Sequence, residues 1–148
     1  MKKMMLFTAV AGLCLLTMVS TAQAQWGSMD EAEDGRQVVA AAKYMINTAQ
    51  KILNTKDADR AKITDAAYQL IKHGYDTMES GEFMTTDDGR NYMGQIGQKL
   101  QQSGNVMLKI GRNSGPLTQQ EKDSIKKQAT IQLELGKLML ANGQNMGG

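Results

Sequence analysis

From about residue 30 onward, apolar side chains recur at alternating three- and four-residue intervals with polar and charged residues between them. Val38, Val39, Ala42, Met45, Ile46, Ala49, Ile52 and Leu53 mark an amphipathic helix over about 30–55. Ile63, Ala66, Ala67, Leu70, Ile71, Gly74 and Met78 mark a second over about 57–82. Thr85-Thr86-Asp87-Asp88-Gly89 then supplies cap and turn residues, and Met93, Ile96, Leu100, Ser103, Met107 and Ile110 define a third over about 87–111. Asn113-Ser114-Gly115-Pro116 closes it. Thr118, with Glu121 three residues later, has the capping-box pattern that opens a fourth helix over about 118–142. Strand-type alternation occurs nowhere and the connections are short, so the expected fold is all-α, an up-down-up-down four-helix bundle.

Ahead of the helices, Lys2 and Lys3 precede an apolar run from Met4 to Val19, and Ala22-Gln23-Ala24 sets small residues at a cleavage site before Gln25. This predicts a cleaved signal peptide over residues 1–24 and a bundle over 25–148 in a periplasmic or secreted protein. The run is about 16 residues against the roughly 20 that a bilayer span needs, and no later stretch is as apolar, so no transmembrane segment is expected. Cys14 follows Ala11-Gly12-Leu13, and the bulky Leu13 is wrong for lipidation. An exported chain that has lost Cys14 has no disulfide and must fold on packing alone.

Loss of Lys2 and Lys3 leaves fifteen basic residues against fifteen acidic ones. With signs interspersed and no run of four basic residues, the sequence predicts no long-range field and no nucleic-acid binding.

Each predicted helix repeats one offset: a small residue, a longer one at plus 4, a small one at plus 7 and a long one at plus 10. The copies are Ala42/Ile46/Ala49/Ile52, Gly74/Met78/Gly81/Met84, Gly97/Gln101/Gly104/Met107 and Gly136/Leu140/Gly143/Met146. Glycine inside a helix costs about 1 kcal/mol relative to alanine, so the pattern needs a compensating cause. Close approach of two helix backbones is one, with methionine filling the gaps. Helices kept loose enough to open a Met-lined groove to a client are another.

One His and one Cys exclude a His/Cys zinc cage and a multi-histidine centre within one chain. A Gly-x-Ser-x-Gly elbow, a phosphate-binding loop and a dinucleotide fingerprint are all missing, so no catalytic residues and no enzymatic activity are expected. Asp76, Glu79, Glu82, Asp87 and Asp88 cluster around the second connection, but the spacing of a calcium loop is not met and they read as a solvated acidic end.

No cofactor is expected, with two alternatives. The architecture resembles four-helix b-type cytochromes, and that resemblance implies haem b held by His73 and a methionine. Copper, as the soft ion Cu(I), is the other, bound by methionine thioethers. The candidate ligands are His73, Met78, Met84, Met93 and Met107, set against their use as core filler.

The fourth helix carries a second apolar stripe, Ile131, Leu135 and Leu138, beside the one through Ile125, Ala129, Gly136, Met139 and Leu140. A helix apolar on two faces is central or covered by another chain, so this stripe is the expected interface for a protein partner or client, or for a homodimer. Leu117-Thr118-Gln119-Gln120-Glu121 resembles the Leu-Thr-x-x-Gln helix starts of Spy-like periplasmic chaperones, with Glu121 in place of Gln, over five residues that a capping box also explains. The expected function is that of an exported helical binding protein, an envelope chaperone, adaptor or structural subunit.

Overall fold

The computed structural model describes residues 30–56 and 58–148, and the expected signal peptide lies outside them. Among the described residues there are four helices and no strand. Helix α1 covers 30–54, α2 Arg60–Glu82, α3 Asp87–Gly111 and α4 Gln119–Asn145. No described helix is long and apolar enough to cross a membrane.

Local chemistry fixes the helix starts. Helix α2 begins at Arg60 because Asp59 is its cap, the carboxylate accepting from the Lys62 N–H at 2.7 Å. Thr86 caps α3 through the Gly89 N–H, with Asp87 and Asp88 in the first turn, where negative charge suits the helix dipole. The Thr118/Glu121 capping box is formed at the head of α4. Helix α4 runs on to Asn145, through a glycine that tertiary contact holds in place.

That contact belongs to a pattern common to all four helices. Small residues recur every seven positions: Gly35, Ala42 and Ala49 on α1, Ala67, Gly74 and Gly81 on α2, Gly97, Gly104 and Gly111 on α3, and Ala129, Gly136 and Gly143 on α4. The α2 stripe faces the α3 stripe. A Cβ built on Gly74 would lie 2.7 Å from the Gly97 carbonyl oxygen, and one on Gly104 would lie 2.8 Å from that of Ala67. The α1 stripe faces that of α4 in the same way, with Gly35 against Gly143 and Gly136 against Ala42. Gly35, Gly74, Gly97, Gly104, Gly136 and Gly143 are thus matched by a neighbouring backbone where a side chain would stand, and the lost helix propensity is offset by close packing. Around these seams Val38, Met45, Leu70, Ile96, Leu100, Met107 and Met139 fill the core.

Gly94 breaks the rule. Nothing lies within 4 Å of a Cβ built there, although it sits inside α3 like the others. Gly94→Ala is therefore expected to stabilise the protein by about 0.5–1 kcal/mol, read as a raised urea midpoint at unchanged slope. A loss of stability would mean that the open space is filled in solution.

Two polar latches hold the opposite ends. The buried Asp34 of α1 accepts from the Thr86 N–H and Oγ1, both at 2.7 Å, and from Thr85 Oγ1 at 3.1 Å, which ties α1 to the α2–α3 turn. Burial raises its pKa, but the hydrogen bonds from Thr86 and Thr85 outweigh that and hold the carboxyl below its usual value. At the other end, Arg60 donates to the carbonyls of Ile110, Gly115 and Pro116 and pairs in bidentate fashion with Glu121. Hydrogen bonds from Arg60, Asn113 and the Thr118 N–H lower the Glu121 carboxyl to about 2.

Candidate functional site

Charges that look interspersed along the chain are sorted by the fold. Among the described residues, the end containing the Asp34 latch gathers Asp30, Glu31, Glu33, Asp34, Asp76, Glu79, Glu82, Asp87 and Asp88 against Arg36 and Arg90. Those two arginines pair with Glu33 and Asp87. The opposite end carries Lys51, Lys56, Arg60, Lys62, Lys109, Arg112, Lys122, Lys126 and Lys127 against Asp59, Asp65, Glu121 and Asp123, so a formally neutral domain has an acidic and a basic pole.

His73 lies between α1 and α2, half-buried, its ring stacked on Tyr44 with centroids 3.5 Å apart and planes 25° from parallel. Burial lowers its pKa and the nearby Asp76 works against that, so the imidazole stays neutral to lower pH than an ordinary histidine. The two rings sit in an open groove whose walls include Ala41, Thr77 and Met93. Thr77 Oγ1 is spent on the His73 carbonyl, and among the described residues no three His, Cys, Asp or Glu side chains group to hold a metal ion.

The candidate methionine ligands are spread along the molecule. Met93 shares the His73 groove. Met84 is buried at the acidic end, its sulfur 2.9 Å from where a Gly89 Cβ would stand and so against the Asp34 latch. Met78 is partly exposed and its sulfur accepts from Gln101 Nε2 at 3.5 Å. Met107 is buried fourteen residues beyond Met93 on α3, about 21 Å along the axis at 1.5 Å per residue, so one ion cannot reach both. Of the five candidate ligands, the structure brings His73 and Met93 to one groove.

On α4, Ile131 and Leu135 are half-buried and Leu135 packs against the core, leaving Leu138, 55% exposed, as the outward member of that stripe. The larger apolar surface lies elsewhere. Tyr68, Tyr75 and Met78 on α2 and Phe83 at its C-cap are all exposed, Tyr75 at 63% and Phe83 at 82%. Sequence reasoning missed this face. Its signal was available: Ile63, Ala67, Leu70, Gly74, Thr77 and Gly81 already account for the buried side of α2, and Tyr68 and Tyr75, seven apart, lie off that stripe. Comparison with protein-family models, curated proteins and solved structures finds no match.

Proposed function

We propose that the chain is an exported, cofactor-free, up-down-up-down four-helix bundle that works without catalysis, by binding another protein through the outer face of α2. One observation carries this: most of the large apolar side chains left in water among the described residues belong to α2 or its cap. Tyr, Phe and Met are the types enriched where proteins meet, and a set of them on one helix offers a partner aromatic anchors with acidic Glu79 and Glu82 beside them. The topology rests on the pairing order, since rising numbers on α2 meet falling numbers on α3, and α1 meets α4 likewise. Export rests on the N-terminal sequence pattern.

A photoreactive phenylalanine analogue at position 75 or 83 is expected to capture partner protein in the cell envelope, and the same probe at exposed Glu134 on α4 to capture none. Equal capture from both faces would count against the α2 reading. The second reading, a soft-metal or haem carrier, is favoured by the meeting of His73 and Met93 in one groove. Native mass spectrometry of protein recovered from its producing cell separates the two, because a retained mass of haem or copper would displace the binding-module reading.

A further inference from the structure

At the basic end a second recess opens between the end of α1, the start of α2 and the first turns of α4. It has a volume of about 290 Å³, a floor of Ile52, Leu53, Leu117 and Ile125 and a rim of Lys56, Lys122 and Lys126. A second hollow of about 140 Å³ shares Ile52, Thr55, Ala58 and Ile125 with it as walls and is lined further by Lys62, Ile63, Ala66 and the buried Met107. The recess is cationic at its rim and apolar at its floor, and the adjoining hollow extends the apolar wall beside one further cation, Lys62. In size the recess sits at the bottom of the ~300–1,000 Å³ range of small-molecule sites, which suits one alkyl chain better than a ring system.

The rim is under-neutralised. Lys122 and Lys126 stand four apart on α4, where like charges are neighbours and repel. Lys56 joins them from the far side of the recess, and among the described residues no carboxylate pairs with any of the three ammonium groups. Of the nearby acids among the described residues, Glu121 pairs with Arg60 and Asp59 with Lys62, while Asp123 accepts from the neutral Gln119 and forms no ion pair with the rim lysines. An anion in the mouth would supply the missing counter-charge, and an attached alkyl tail would leave water at about 0.8 kcal/mol for each methylene buried.

We infer that this recess is a binding site for a single-chain carboxylate amphiphile, a fatty acid, with its head group among Lys56, Lys122 and Lys126 and its tail directed toward Ile63 and Met107. The site lies at the pole opposite the acidic latch, it does not include the aromatic row of α2, and it stands whether or not that row binds protein.

The test is titration of the isotope-labelled protein with dodecanoate below its micelle concentration, followed by methyl NMR. Saturable shifts are expected at the methyls of Ile63, Met107 and Ile125. Dodecyltrimethylammonium, with the same tail and the opposite charge, should bind at least tenfold more weakly. The double variant Lys122→Glu, Lys126→Glu, both exposed residues, should keep the parent's thermal midpoint and lose dodecanoate affinity at least tenfold. Equal affinity for the two head groups, shifts centred on Tyr75 and Phe83, an unchanged affinity in the variant, or binding only to anionic vesicles and not to monomeric dodecanoate would each overturn the assignment.

Discussion

Gly97→Ala is expected to destabilise the protein by about 2 kcal/mol, even though alanine is the better helix former by about 1 kcal/mol. The new Cβ would stand 2.6 Å from the Gly74 carbonyl oxygen and 3.1 Å from the Met78 nitrogen. Both are backbone atoms of α2. The clash is relieved only by separating α2 from α3, and that loosens every contact along the seam down to Ala67 and Gly104. A flexible side chain could have swung aside; two helix backbones cannot. Urea denaturation should show the midpoint falling for Gly97→Ala while it rises for Gly94→Ala, two identical chemical changes three residues apart with opposite signs. Should Gly97→Ala prove as stable as the parent, the close approach of α2 and α3 would be wrong.

The contrast between those two glycines marks the limit of what the sequence discloses. Periodicity and caps place the four helices because each signal is local: Asp59, Thr86 and Thr118 act within three residues of themselves. The seven-residue recurrence of small side chains is equally visible. Its pairing is not, since nothing local states that the α2 stripe meets that of α3 while α1 meets α4. Gly94 looks in sequence like Gly97, and only the neighbouring helix distinguishes them.

The candidate sites were less legible for the same reason. Lys56 lies 66 positions from Lys122, and their meeting over an apolar floor depends on α1 ending at the pole where α4 begins. Charge balance hid the poles, because acidic and basic residues alternate along the chain by helix end. The apolar stripe on α4 drew attention to Ile131, Leu135 and Leu138, yet Leu135 is taken up by the core and the exposed aromatic residues lie on α2. A search for aromatics off the buried stripe of each helix would have found Tyr68 and Tyr75.

Asp34→Ala is expected to remove about 3 kcal/mol, more than Gly97→Ala, because it strands a whole set of donors. The carboxylate is buried and accepts from both hydroxyls and both N–H groups of Thr85 and Thr86. Its loss leaves the N-cap of α3 without its outer support and detaches α1 from the α2–α3 turn. Asp34→Asn is the informative companion: its amide oxygen can keep the three bonds at Oδ2, while its NH2 faces only the longer contact from the Thr85 N–H at 3.4 Å. It should therefore cost about 1 kcal/mol. The pH dependence separates charge from shape. The folded carboxyl titrates below the ordinary value of 3.8, so its contribution is complete above that value and is lost as pH falls through the depressed one. Glu121, at about 2, adds a second loss in the same acid range. Thermal midpoints measured from pH 6 down to pH 2 should therefore fall for the parent and fall less steeply for Asp34→Asn, which retains only the Glu121 share and that of Glu33, lowered by Arg36. Parallel curves for the two proteins would show that the charge of Asp34 adds nothing to stability, leaving the latch only the hydrogen bonds that a neutral group can accept.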